Sequence, residues 1–343
     1  MDEWPTHGGE VDAAAARYGV PRERWLDLST GISPHPYPLP DLAGEYWYRL
    51  PDAGVDGWLC EVAARYYGVA DPQLVVPAPG AQALIRWLPR LVPASHVAIV
   101  GPTYREHQVS WQAAGHRVAE VTGIDRLPTD ADVVVVVNPN NPDGRVIDGD
   151  RLVALARDRL LVVDEAFADV MPDVSVAAHA GRADLVILRS VGKFFGLAGM
   201  RLGFALTAER LAARLRGAMG PWAVSGPASA VGAVALADSG WIAAARVRLT
   251  AAAGRLDGLL MRNGLRIVGG TSLFRLVEHG RAGELFAHLA GSGILTRRFA
   301  EQPDRLRFGI PGSDGEFDRL GAALAVWRPR ALPSAAATGR QDR

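Results

Sequence analysis

At 343 residues and 49% hydrophobic, the chain is long enough for one large domain or a large and a small one around a substantial core. Lysine plus arginine total 37 and aspartate plus glutamate 37, so no net charge draws it to nucleic acid or an anionic membrane. A lone cysteine, Cys60, excludes an internal disulfide and a cysteine-based zinc cluster, no apolar run approaches the roughly 18 to 20 residues of a bilayer span, and the acidic start lacks a secretory pattern; a cytoplasmic protein is expected.

The first 50 residues are rich in glycine, proline and polar residues, with a short helix over Val11–Tyr18. Trp25–Pro38 reads as a brief strand running into an extended loop, in which Gly31-Ile32-Ser33 lets backbone approach a ligand. A helix over Gly57–Tyr67 precedes a strand at Leu74–Val76. The Pro77–Gln82 turn and a helix over Ala83–Leu91 follow. That succession is either a phosphate cradle at a helix N-terminus or an ordinary strand-to-helix turn.

His96–Val100 is a strand ending at Tyr104, and Glu106–Ala114 a helix. Asp132–Val137 is an unbroken apolar run that fits a strand buried on both faces, ending at Asn138–Gly144. A helix over Asp150–Arg159, a strand over Leu160–Val163 ending on Asp164, a strand over Leu185–Leu188 and another over Met200–Leu206 continue the alternation. This pattern predicts a mostly parallel α/β sheet with helices on both faces and ligands at the strands' carboxyl ends. Those ends carry Tyr104, Asn141, Asp164 and Ser190–Lys193. Beyond a helix at Ala208–Met219 and a long one from about Trp241 to Asn263, shorter strands and helices predict a smaller α+β domain. The expected division is an N-terminal segment 1–45, a large domain 46–240, a small domain 241–328 and a disordered tail 329–343.

Lys193 is the only lysine in the chain; every other basic side chain is arginine. An amine forms a Schiff base with an aldehyde, which a guanidinium does not. A ligand with an aldehyde, an aromatic ring and a phosphate would use the remaining strand ends. Asp164 pairs with a protonated ring nitrogen and Asn141 donates to a phenolate oxygen. Tyr104 stacks on the ring, while Gly80, Ala81, Ser190 and Arg201 hold the phosphate. Each residue alone has a plainer reading: Asp164 as a helix cap, Tyr104 as core packing, Asn141 and Ser190 as turn residues, Arg201 as a surface ion pair. The eight histidines show no metal-ligand spacing, so no metal is expected.

The series PGAQ (Pro79–Gln82), PTY (Pro102–Tyr104), NPNNPDG (Asn138–Gly144), DEAF (Asp164–Phe167) and SVGKFFGLAGMRLGF (Ser190–Phe204) resembles fold-type I aminotransferases dependent on pyridoxal 5'-phosphate, over about residues 5–327. Within that group the chain is similar to the histidinol-phosphate aminotransferase branch. It is more similar to the threonine-phosphate decarboxylases of cobalamin biosynthesis, on HGG (His7–Gly9), LDLSTGISPHPYP (Leu26–Pro38), YRLPD (Tyr48–Asp52) and GPTYREH (Gly101–His107).

The resemblance implies a seven-stranded sheet, a homodimer and a small phosphorylated amino acid as substrate. Lys193 and Asp164 would be catalytic. Gly80, Ala81, Gln82, Tyr104, Asn141, Asp164, Ser190, Lys193 and Arg201 would bind the cofactor. His7, Gly8, Gly9, Gly31, Ser33, Asn141 and Arg307 would bind substrate, Arg307 at its carboxylate. The implied reaction is decarboxylation of L-threonine O-3-phosphate, with a histidinol-phosphate-type transamination as the alternative. Three positions depart from the family pattern: Phe167 replaces a tyrosine, Ser33 an asparagine and Leu50 a tyrosine that reaches the neighbouring subunit.

Overall fold

The computed structural model describes residues 7–327, so the tail expected at 329–343 lies outside the described residues. In chain order α1 (Val11–Tyr18) and β1 (Leu26–Asp27) lead into α2 (Glu45–Tyr48), α3 (Ala53–Tyr67), β2 (Val75–Ala78), α4 (Ala81–Leu91), β3 (His96–Val100) and α5 (Glu106–Ala113). Then come β4 (Arg117–Val121), β5 (Val133–Val137), α6 (Gly149–Leu155), β6 (Leu160–Asp164), β7 (Leu185–Ser190), α7 (Val191–Phe194) and β8 (Gly203–Thr207). Helices α8 (Glu209–Met219), α9 (Gly226–Ala237) and α10 (Ser239–Arg262) precede β9 (Arg266–Thr271), β10 (Phe274–Glu278), α11 (Ala282–Gly291), β11 (Ile294–Leu295), β12 (Arg297–Arg298), β13 (Arg305–Gly309) and α12 (Asp314–Val326).

Strands β2 to β8 form one seven-stranded sheet in the order β2-β8-β7-β6-β5-β3-β4, with β8 antiparallel to both neighbours and the other pairs parallel. Five consecutive valines make β5 a strand that must be covered on both sides, because successive side chains point to opposite faces. Val134 and Val136 pack into the core beneath α3 and α9, while Val133 and Val135 join the core with Leu84 and Leu88 of α4. Four antiparallel strands, β12-β13-β10-β9, form a second sheet. Its core gathers Leu256, Phe286, Phe308 and Leu320 together with Leu26 and Leu28 from the start of the chain. Strand β1 pairs in parallel with β11, which ties the N-terminal segment to this second core.

Several boundaries differ from the sequence reading. Helix α3 starts at Ala53 because the Asp52 carboxylate accepts from the Gly54 and Val55 amides, and Gly68, at φ 71°, ends it. Helix α6 stops at Leu155, four residues short of the expected end. Strand β4 and helix α9 are additional elements. Among the described residues no single helix is long and apolar enough to cross a membrane.

Candidate active site

The carboxyl ends of β3, β5, β6 and β7 open onto a cavity of about 920 Å³, roofed by the second sheet and by residues from the N-terminal segment. Each wall residue is placed by an identifiable local cause. Lys193 sits in α7, one turn of helix directly after β7. Its carbonyl accepts from the Ser33 amide at 2.9 Å and from the Gly196 amide at 3.3 Å. Burial pushes the Lys193 ammonium down to about 8; the Arg307 guanidinium adds to that shift, Asp164 opposes it, and Arg201 lowers it further.

Asp164 ends β6 and is buried. Its Oδ2 lies 2.9 Å from His107 Nε2, and its Oδ1 accepts from the Ala166 amide at 3.0 Å. The next residue, Glu165, points to the opposite face of the sheet, where its carboxylate accepts from Arg189, Ser175 and the Val176 amide. Arg189, buried on β7, also pairs with Asp169. This network clamps the ends of β6 and β7 from behind, so Asp164, Ser190 and Lys193 share one rigid base.

Helix α4 points its N-terminus into the cavity. A methyl group on Gly80, at φ 82°, would lie 2.6 Å from Arg201 Nη2, and one on Gly203 would lie 2.4 Å from the Ala81 amide nitrogen. Two glycines therefore let an arginine and a helix N-terminus converge, a donor set suited to an anion. Gln82 spends its side chain elsewhere: its amide donates to Glu106 at 2.7 Å and its carbonyl accepts from the Tyr104 hydroxyl at 3.1 Å. What it offers an anion is its place in the first turn. Burial, with Glu106 and Asp164 nearby, raises the Tyr104 hydroxyl to about 12.

Arg307, on β13, reaches across from the second sheet. Its Nη1 donates to Asn141 Oδ1 at 2.5 Å and its Nη2 to the Ser29 carbonyl at 2.9 Å. Burial, helped by Arg297 and opposed by Asp27, pulls its guanidinium down to about 9. Its Nε is buried with no hydrogen-bond partner among the described residues, which leaves a desolvated cation with unused capacity for an anion.

Of the residues predicted for the site, His7, Gly8, Gly31, Ala81, Gln82, Tyr104, Asn141, Asp164, Ser190, Lys193, Arg201 and Arg307 line this one cavity. Gly80 stands behind Arg201. Gly9 donates its amide to Ser29 Oγ at 2.7 Å and does not line the wall. Ser33, expected to contact substrate, does not line the wall, and its buried hydroxyl is engaged in a turn, donating to the His35 carbonyl at 3.1 Å and accepting from the His35 amide at 3.3 Å. Gly31 admits the rings of Phe167 and Phe274, which a methyl group there would meet at 2.9 and 3.0 Å. Phe167 thus gives the wall an aromatic face, 5.9 Å from Lys193 Nζ. Leu50 is 65% exposed, outside the cavity.

Sequence reasoning missed His107, Arg105, Arg297 and Glu301. His107 and Arg105 lie inside the GPTYREH stretch that carries the resemblance, with no role attached to either; Arg297 and Glu301 lie in no motif.

Residues 40–324 match the family described as aminotransferase class I and II. The chain is 46% identical over 327 residues to a threonine-phosphate decarboxylase of Sinorhizobium sp, covering 93% of this chain and 97% of that protein. It is 45% identical to a threonine-phosphate decarboxylase of Pseudomonas aeruginosa, over 93% and 96% of the two chains. A histidinol-phosphate aminotransferase of Granulibacter bethesdensis is 29% identical over 83% of each. Among solved structures, histidinol-phosphate aminotransferase of Sinorhizobium meliloti in complex with pyridoxal-5'-phosphate superposes with a TM-score of 0.80 at 22% identity, over 94% of each chain. The L-threonine-O-3-phosphate decarboxylase of Porphyromonas gingivalis gives 0.72 at 20% identity, over 87% of this chain and 98% of that one. The predicted fold class, a fold-type I α/β transferase with a seven-stranded, mostly parallel sheet, is the one observed. The chain belongs to the aminotransferase class I and II family.

Proposed function

We propose that this chain is a pyridoxal-phosphate-dependent decarboxylase that converts L-threonine O-3-phosphate to (R)-1-amino-2-propanol O-2-phosphate and CO₂, a step of cobalamin assembly, in the cytoplasm. The observation that carries the cofactor is the opposed pair in one cavity: a lone, desolvated amine at Lys193 and a buried carboxylate at Asp164. The glycine-admitted meeting of Arg201 with the α4 N-terminus fits the cofactor's phosphate, together with Ser190. Asp164 would face its ring nitrogen, Asn141 its phenolate oxygen and Tyr104 its ring. When bound, pyridoxal phosphate supplies an aldehyde for an amine and a ring that accepts the electron pair left when a bond to Cα breaks.

The residues of the chain do the rest. The lowered Lys193 ammonium is about half neutral near pH 8, so a nucleophilic amine is present under ordinary conditions. Asp164, fixed by His107 and the Ala166 amide, is oriented to hold a proton on the ring nitrogen. Arg307 binds the substrate carboxylate through the same fork that now holds Asn141. The apolar corner of Phe167 and Phe274 excludes water from that end, which favours loss of a charged carboxylate as neutral CO₂. Lys193, on the same wall, is placed to return a proton to Cα.

Near-full-length identity to two threonine-phosphate decarboxylases favours this reading over transamination. We take the chain to divide into a large domain at 46–240 and a small one at 241–328, the N-terminal segment packing with the small domain and the active site; the parallel pairing of β1 with β11 supports this. We take the working form to be a homodimer: Trp47 and Tyr48 of α2 are 71% and 76% exposed beside Leu50, an aromatic surface that a second copy would cover. The decisive test is incubation with threonine phosphate alone: stoichiometric CO₂ without a keto-acid requirement supports decarboxylation, and a ketone product with loss of the aldehyde form of the cofactor refutes it. Light scattering of the purified protein settles the dimer.

A further inference from the structure

Arg105, which follows Tyr104, and Glu301, in the turn between β12 and β13, face each other across the open rim of the cavity. Arg105 Nη1 lies 3.0 Å from Glu301 Oε1, and both side chains are largely exposed. Arg297, at the start of β12, lines the same rim. Burial lowers the Arg297 guanidinium, while Tyr104 and Glu301 act in the opposite direction, so the Glu301 carboxylate bears on both arginines. The other acid nearby, Glu106, is committed to Gln82, Arg86 and His7. One carboxylate therefore pairs with a guanidinium from the large sheet's side of the cleft, while a second guanidinium lines the same rim from the small sheet's side.

We propose that Glu301 is a specificity-determining residue, an internal stand-in for the substrate's dianionic group that holds Arg105, on the rim it shares with Arg297, until the incoming phosphate displaces it. This rests on the phosphorylated-substrate reading above. An exposed carboxylate–arginine pair contributes little, whereas a phosphate brings up to twice the charge and three strong acceptor oxygens. Exchange therefore favours the phosphate ester. Threonine itself offers only a hydroxyl at that position, so it leaves Arg105 paired with Glu301 and gains nothing there. The carboxylate thus discriminates by competition, raising the threshold for ligands without a phosphate. Because Arg105 and Arg297 belong to opposite sides of the cleft, the displacing phosphate also bridges them.

The test uses holoenzyme in low-salt, phosphate-free buffer and titrates inorganic phosphate calorimetrically, alongside KM and kcat for threonine phosphate. Glu301→Gln should bind inorganic phosphate about three- to fivefold more tightly and lower KM by a similar factor, while Arg105→Gln should bind it about tenfold more weakly, with the effect on KM rather than kcat. Asp158→Asn, the same charge change on the exposed loop entering β6 at the opposite end of the sheet, should leave phosphate affinity unaltered. The proposal is overturned if Glu301→Gln binds phosphate no better than wild type, if Arg105→Gln binds it equally well, or if Asp158→Asn matches Glu301→Gln. Wild-type enzyme that releases no CO₂ from threonine phosphate would count against the substrate reading, and the phosphate titration, which needs no turnover, still decides the role of Glu301.

Discussion

His107 Nε2 and Asp164 Oδ2 lie 2.9 Å apart with both side chains buried, 57 residues apart in sequence. The contact ties the first turn of α5 to the end of β6 and, with the Ala166 amide on Oδ1, fixes the orientation of the carboxylate. In His107→Ala a buried acid keeps only the Ala166 amide. The variant should lose about 1–3 kcal/mol of stability, as expected for a buried acceptor stripped of a partner. Cofactor affinity should fall with it, read by fluorescence titration of the apoenzyme.

The pH response of Lys193 has a definite sign. Its folded value of about 8 lies below the ordinary lysine value of 10.5, so between those two pH values the unfolded chain binds the proton that the folded chain has released. Stability of the apoenzyme from this group therefore climbs as pH rises from about 8 to 10.5 and is at its lowest below 8. Lys193→Ala removes that climb, and at pH 7 the apo variant should melt above wild type. The same titration predicts that pyridoxal phosphate adds to wild-type apoenzyme faster with rising pH, levelling above about 8; Lys193→Ala should show no addition and no CO₂ release.

At Gly80 the positive φ and the Arg201 guanidinium leave no space for a side chain. Gly80→Ala both strains the backbone and pushes Arg201 aside. A loss of at least about tenfold in cofactor affinity is expected, with the melting temperature of the apoenzyme changed far less. Equal affinity would show that the anion is held elsewhere.

Arg307→Lys keeps the charge and removes the fork that reaches Asn141 and Ser29 together. A drop of about a hundredfold in kcat/KM is expected for loss of bidentate carboxylate binding. The cofactor's absorbance should be retained, which separates this effect from misfolding.

Much of the large sheet was legible because its strands are continuous β-branched runs: Val133–Val137 could be read directly, and its alternating residues feed two cores. Strand β4 was not, since Arg117–Val121 is an edge strand with exposed and half-buried positions and no clean alternation. Helix α9 was missed for the opposite reason. Gly226–Ala237 is built of small residues buried nearly all round, so it shows no amphipathic stripe, and its Gly-Pro start reads as a linker. Lys193, Asp164, Asn141 and Arg201 were legible through chemistry at strand ends. Arg105 and Glu301 meet across 196 residues, a contact that neither the motif around Arg105 nor anything near Glu301 announces. The turn that engages the Ser33 hydroxyl with His35 is a matter of local backbone geometry, which residue type alone does not announce.

The stretch from Leu26 to Tyr37 is fastened at both ends. Leu28 exchanges backbone bonds with Leu295 and Gly309 of the second unit, while Ser33 and Tyr37 donate to the carbonyls of Lys193 and Phe195 in the first. Pro36 presses so closely on Gly196 that a methyl group there would lie 2.7 Å from its Cα. A swing of one half against the other must pull on this tether, and its far attachment is the loop bearing the reactive amine. Leu26–Tyr37 is thus a strap common to both units, and any displacement of one against the other would be transmitted through it to the turn that carries Lys193.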